Sequence, residues 1–192
     1  MALAFSTMLP LGTLLPDFTL PDVCSGKTVS AESLAPAPGY LLMVICNHCP
    51  YVIRVRKVLV AFANRAVEQG VHVLALSAND AESYPEDAPD KMREFARNEQ
   101  FAFPYLYDEN QELVRKLQAV CTPEFYFFNA SRKLTYRGQM DDSRPGNTEP
   151  NDASYLELAL QAILRGKKVA AEQKPAVGCN IKWKPGNSPS LS

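Results

Sequence analysis

"MVICNHCPYV", Met43–Val52, sets two cysteines three residues apart where one hydrophobic pattern gives way to another. Upstream, Tyr40–Cys46 ("YLLMVIC") is a short apolar run containing Val and Ile that follows Pro36, Pro38 and Gly39, and it reads as a buried strand. Downstream, Val52, Val55, Leu59, Phe62 and Ala66 recur every three or four residues, with Arg54, Arg56, Lys57 and Arg65 at the positions between. That spacing predicts an amphipathic helix over Pro50–Gln69, ended by Gly70. Asn47 is a good N-cap type, and Pro50 is tolerable only in a first turn, where its missing N–H removes no helical bond. On this reading Cys46 ends the strand, and its sulfur lies near unpaired backbone N–H groups at the positive end of the helix dipole. Both favour thiolate over thiol, the nucleophilic form. His48 adds a donor at the same place, and a stabilised thiolate makes the Cys46/Cys49 disulfide more oxidising. The plain alternative is two buried cysteines, since free Cys is among the most buried residue types. A C-x-x-C at a strand-to-helix turn in an α/β chain favours the redox dithiol.

Outward from this junction the chain alternates between strand-like and helix-like segments. Val71–Ala78 predicts a second buried strand. A helix follows, with Asp87 as N-cap, Pro89 in its first turn and an apolar stripe of Met92, Phe95 and Ala96. "FPYLYD" is a short strand and "ENQELVRKLQA" a short helix; "EFYFFNA" and "KLTYRGQM" form an antiparallel hairpin turning at Ala130–Ser131–Arg132. "NDASYLELALQAILRG" closes the pattern as a helix capped by Asn151 or Asp152 and stopped by Gly166. Ser143–Pro150 is a loop. The order predicts an α/β chain with a central mixed sheet flanked by helices, an N-terminal extension and a C-terminal tail. Residues 1–170 are expected to form one domain, with 171–192 a tail docked on it through Ile181 and Trp183.

Composition bounds the function. In 192 residues, 20 basic side chains meet 21 acidic ones, a balance with no electrostatic footprint for nucleic acid or an anionic membrane. No apolar stretch approaches the roughly 18 residues a bilayer span needs. The apolar N-terminus carries no Lys or Arg before Lys27 and is interrupted by Pro10, Gly12 and Pro16, so it reads as mature fold and the protein as cytoplasmic. Five cysteines, an odd number, do not suggest a disulfide framework; in a reducing compartment the close pair is catalytic or metal-binding.

Thr122–Pro123, just before the strand "EFYFF", is a cis-proline candidate, because Pro cannot donate to a ladder and favours tight turns. Cys121 precedes it and is read first as buried filler, second as an accessory thiol or ligand. Cys179 lies in a tail expected to dock on the body. Cys24 reads as a bystander, His72 as a core or edge histidine, and Arg144 as a loop arginine. The aromatic run Phe125–Phe128 is β-core.

"FTLPD", "CNHCPYV", "SANDAESYPEDAPDKM", "FPYLYDENQEL", "AVCTPEFYFF", "YRGQMDDSRPG" and "GCNIKWKPGN" together resemble the peroxiredoxin-like members of the alkyl hydroperoxide reductase/thiol-specific antioxidant (AhpC/TSA) group, over nearly the whole chain. The resemblance implies a thioredoxin-like fold, Cys46 as attacking thiol, Cys49 as its resolving partner and Pro123 as a cis-proline whose preceding backbone, Thr122, pairs with substrate. It also implies that Arg144 could present a charge to a thiolate and that Cys179 could be a resolving cysteine from the tail. The peroxiredoxin pattern departs here, with Leu42 where its Pro would stand and Cys46 where its Thr would stand, if Cys49 is peroxidatic. The groups that orient a peroxide are missing, so the expected activity is thiol–disulfide exchange. A thiol-dependent peroxidase is the alternative. A Cu(I)- or Zn-binding protein using Cys46, Cys49 and Cys121 or His48 is the third reading. No bound cofactor is implied. The expected partners are protein or small-molecule disulfides and a dithiol reductant such as a thioredoxin system, with no nucleic acid and no membrane, and a homodimer is left open.

Overall fold

The computed structural model describes residues 2–189. In chain order it contains β1 (Leu3–Phe5), β2 (Thr19–Pro21), β3 (Thr28–Ser30), β4 (Gly39–Val44), α1 (Pro50–Glu68), β5 (His72–Ser77), α2 (Pro89–Asn98), β6 (Tyr105–Tyr107) and α3 (Glu112–Lys116). These are followed by β7 (Cys121–Thr122), β8 (Glu124–Asn129), β9 (Leu134–Gly138), α4 (Ser154–Leu164) and β10 (Val177–Asn180). Five strands form a mixed sheet in the order β6-β5-β4-β8-β9. β4, β5 and β6 run parallel, while β8 is antiparallel to β4 and to β9.

All six residues of β4 are buried, which is why its sequence reads as a continuous apolar run rather than an alternation. The pleat still sorts them. Leu41 and Met43 pack with Val52, Val55, Leu59 and Phe62 of α1, Met92 of α2 and Leu156 of α4. Tyr40, Leu42 and Val44 face the other way, with Leu113 of α3, Leu9 and Phe18 of the N-terminal segment, and Ile181 of the tail. β8 alternates likewise, Phe125 and Phe127 to the first face and Tyr126 and Phe128 to the second.

The α1 expectation holds in detail, since all five stripe residues are buried and Gly70, at φ +84°, takes the left-handed position past the last turn. The hairpin turn is also placed as read, with Arg132 donating its N–H to Asn129 O and adopting φ +56°. The caps differ. Asn47 does not cap α1: Cys49 is the N-cap residue, and β4 already stops at Val44. Ala88 rather than Asp87 precedes α2, and Ala153 rather than Asn151 or Asp152 precedes α4. Asn47 and Asp87 are engaged elsewhere, as described below.

The tail, short on regular pattern, contains β10, the centre of a second small sheet in the order β1-β10-β7. Ile181 is buried and Trp183 packs on the second core face. Among the described residues no helix is long and apolar enough to cross a membrane.

Candidate functional site

Cys46 sits in the two-residue extension beyond β4, four residues before Pro50 opens α1, and Cys49 occupies the N-cap itself. Both are free thiols and both are buried, at 2% and 0% exposure. Across from them, the Thr122–Pro123 peptide bond is cis. Thr122 touches both sulfurs. Its Oγ1 lies 3.4 Å from Cys46 Sγ, and its carbonyl oxygen, 3.2 Å from Cys49 Sγ, accepts the Cys49 proton when that thiol is protonated. β7 is a two-residue strand, so Thr122 faces the thiols while Cys121, its neighbour, faces away. The Cys121 thiol points instead to Glu124 Oε2 at 3.8 Å.

The electrostatics separate the two thiols. Cys49 is pushed down to about 5, first by a hydrogen bond from the Cys46 thiol, and further by hydrogen bonds from Cys179, Thr122 and the Val52 N–H, with burial opposing. Val52 is the third helical residue, so its N–H is one of the donors a helix start leaves unpaired. Cys46 is driven the other way by the same hydrogen bond, by burial and by the Asp87 carboxylate. The expectation that the helix start stabilises a thiolate on Cys46 is therefore corrected. Cys46 lies outside the first turn and next to a negative charge, and the sulfur that caps the helix is Cys49.

Asn47 and His48 are held by Asp87, a fully buried carboxylate in the turn before α2. The Asn47 N–H donates to Asp87 Oδ1 at 2.8 Å, and Asn79 Nδ2 donates to Oδ2 at 2.7 Å. His48 Nδ1 stands 2.8 Å from the same Oδ2, and its ring stacks on Tyr84. The Asn47 side chain donates to Glu86 O and accepts from the Tyr105 hydroxyl. Asp87 is the site residue that sequence reasoning misplaced. Followed by Ala88-Pro89, it carries the local signature of a cap, and only the packing of α2 against the dithiol loop shows its other use. Cys46 Sγ, a ring nitrogen of His48 and a carboxylate oxygen of Asp87 lie within 4.8 Å of one another, three donors of the types that zinc takes. This set differs from the expected one, because Cys121 turns away.

Cys179, on β10, is brought to the thiols by its strand pairing. It pairs in register with Thr122, whose carbonyl oxygen meets Cys49 Sγ, and it is buried in the same cluster as Cys46 and Cys49. Burial first, then the neighbouring Cys49, push Cys179 up to about 12. Cys121 is pushed up more strongly, by burial and by Glu124. Arg144 is not aimed at a sulfur. Its guanidinium donates to Asp141 O, Ser143 O and Gln139 Oε1 of its own loop, beside Pro123 and Tyr51. Cys24 is exposed in its loop, and His72 stacks on Tyr40 at the start of β5.

A thiolate at a helix N-terminus with a protonated thiol hydrogen-bonded to it is equipped to attack an electrophilic sulfur or oxygen and then to close a disulfide. Comparison with known proteins agrees with this architecture. Residues 11–137 match the model of the AhpC/TSA family. No curated protein matches the chain. An uncharacterized conserved protein from Geobacillus kaustophilus is 45% identical with a TM-score of 0.93, the alignment covering 97% of this chain and 98% of that one. A hypothetical protein from Sinorhizobium meliloti is 37% identical with a TM-score of 0.92, covering 95% and 99%. The thioredoxin domain of a thiol-disulfide oxidoreductase from Bacteroides vulgatus aligns with a TM-score of 0.59 over 79% of this chain and 99% of that one. At 14% identity that last likeness concerns the fold alone, which is thioredoxin-like.

Proposed function

The chain belongs to the AhpC/TSA family, and from that premise we propose that it is a thiol–disulfide oxidoreductase with Cys46 and Cys49 as its redox dithiol. The observation that carries the proposal is the opposite displacement of the two thiols across one hydrogen bond, at a helix start, against Thr122 and the cis-proline. The Cys49 thiolate is the nucleophile of the reduced pair. It attacks one sulfur of a disulfide, the S–S bond breaks, and the other sulfur leaves as thiolate. Cys46 then gives up its proton and attacks Cys49 Sγ, releasing the second substrate thiol and leaving a Cys46–Cys49 disulfide. An external dithiol such as a thioredoxin system restores both thiols. Thr122 and Pro123 form the wall against which the sulfurs exchange, and Asn47 and His48, anchored on Asp87, fix the loop that carries Cys46.

The partners this chemistry calls for are protein or small-molecule disulfides in a cytoplasmic, reducing setting. The peroxidase alternative shares the Cys49 thiolate, but Leu42 and Cys46 stand where peroxide-orienting Pro and Thr would be. One assay separates the two. With dithiothreitol as reductant, hydroxyethyl disulfide is expected to drive turnover, with a Cys46–Cys49 linked peptide recovered after acid quenching. Turnover driven by hydrogen peroxide and not by the disulfide would replace the oxidoreductase reading with the peroxidase one. Absence of the linked peptide under both substrates would end both.

A further inference from the structure

Where the turn that carries Asp87 meets the dithiol loop, three kinds of donor converge. Cys46 Sγ, a ring nitrogen of His48 and a carboxylate oxygen of Asp87 lie within 4.8 Å of one another, and Cys49 is not among them. Cys46 and Asp87 are buried, while 21% of the His48 side chain reaches solvent. The carboxylate is held from behind. The Asn47 N–H donates to its Oδ1 and Asn79 Nδ2 to its Oδ2, and Asn79 is itself fixed because its Oδ1 accepts the Lys182 N–H at 2.9 Å. The imidazole lies flat against Tyr84, the two ring planes 2° apart. His48 Nδ1 is the loose end. It is buried and stands 2.8 Å from Asp87 Oδ2, yet it makes no aligned hydrogen bond to that oxygen or to any other described group. A histidine that served only to clamp the loop would pair that nitrogen, because a buried polar atom left unpaired is costly.

We propose that these three side chains form a zinc site, with Cys46 Sγ, His48 Nδ1 and an Asp87 carboxylate oxygen as ligands and a fourth, tetrahedral position open on the part-exposed His48 side. The donor set chooses the metal. One thiolate, one imidazole and one carboxylate suit a borderline-soft divalent ion that accepts all three, whereas Cu(I) favours sulfur and Mg²⁺ or Ca²⁺ favours oxygen. The two amide donors on Asp87 are the outer shell that orients a ligating carboxylate. The metal takes Cys46 as thiolate, so binding releases the Cys46 proton to solvent. The site needs nothing from disulfide exchange and goes beyond it, but one consequence rests on the dithiol reading above. Zinc engages the sulfur that would attack Cys49, so the loaded protein does not close its Cys46–Cys49 disulfide until the ion leaves.

Zinc sulfate is the probe. Metal-free full-length protein, kept reduced with tris(2-carboxyethyl)phosphine, is titrated against a chromophoric zinc chelator, and one equivalent per chain is expected to bind. Cys46→Ser and His48→Ala are each expected to weaken binding at least about tenfold, and Asn79→Ala, which frees the carboxylate, about tenfold. Cys49→Ser is expected to bind as wild type does. Circular dichroism checks the fold of each variant, and His48→Ala, in a part-exposed loop, carries the test if Asn79→Ala does not fold. Reduced wild type that takes up no zinc overturns the site. So does binding that Cys49→Ser abolishes and His48→Ala leaves intact, which puts the ion on the dithiol instead. With hydroxyethyl disulfide, wild type in free zinc about tenfold above its dissociation constant is expected to form the Cys46–Cys49 link about tenfold more slowly than metal-free protein, since only the unloaded fraction reacts. Chelation with EDTA restores the rate. A link that forms in a protein unable to bind zinc removes the site and leaves the dithiol reading standing, whereas zinc bound as expected by a protein that never forms the link removes the dithiol reading and leaves the site.

Discussion

At the scale of single residues, the site is decided by which sulfur caps the helix. Pro50 at the first helical position makes the residue before it the N-cap, so the unpaired N–H of Val52 serves Cys49 and not Cys46. With Cys46 as a second donor, Cys49 is a thiolate across the neutral range. A lowered acid constant means deprotonation on the acidic side of neutrality, so alkylation of wild-type Cys49 should rise through about 5 and stay flat above it, where an ordinary thiol would keep rising toward its own pKa near 8.5. The check is the pH profile of iodoacetamide labelling at the Cys49 peptide. Replacing Cys46 by Ala removes the largest stabilising contact and should move the midpoint upward; an unmoved midpoint would show that the helix start alone sets it. Thr122 and Pro123 were legible as a pair before a strand, and their place opposite the thiols follows the order of the chain. Asp87 was not legible, because a carboxylate two residues before a helix-initiating proline looks the same whether it caps that helix or reaches across to another loop.

At the scale of elements, the long periodic segments were predictable and the short ones were not. α1 and β4 bury enough side chains in a regular spacing to declare themselves, whereas β1, β2, β3 and β7 have two or three residues each and no period to detect. β10 exists through its neighbours: Val177–Asn180 is a strand because β1 and β7 supply partners on both sides. Gly178 is the residue on which this element depends. A Gly178→Val substitution puts a side chain into the Thr122 carbonyl and should lift β10 off β7. Two readouts follow, a red shift in the fluorescence of Trp183, the protein's one tryptophan, and a rise of about tenfold or more in Cys49 alkylation as the cover is lost. Unchanged fluorescence and labelling would mean that β10 tolerates the side chain and is not the cover.

At the scale of the whole molecule, one mixed sheet carries both hydrophobic faces, and the strands β4 and β8 contribute alternate side chains to each. Truncating one fully buried ring should be felt throughout. Phe127→Ala, on the helix-rich face, is expected to cost about 4 kcal/mol in urea unfolding. Trp183 reports from the opposite face, and its transition should coincide with the loss of far-ultraviolet circular dichroism if the two faces unfold as one unit; separated transitions would show that the tail face melts alone. Read alone, the sequence determined the α/β class, the order of the long elements, the two-face packing and the pair of thiols at a strand-to-helix junction. Each of these rests on side-chain periodicity or on local turn chemistry, which a linear chain displays. Only the tertiary structure decided that Cys49 is the capping sulfur, that Asp87 anchors the loop between the thiols, and that Cys179 lies beside them. The last two depend on contacts between residues 40 to 130 positions apart, whose partners are chosen by sheet pairing and packing and leave no periodic mark on the chain, whereas the cap was decided by where the helix starts, at Pro50.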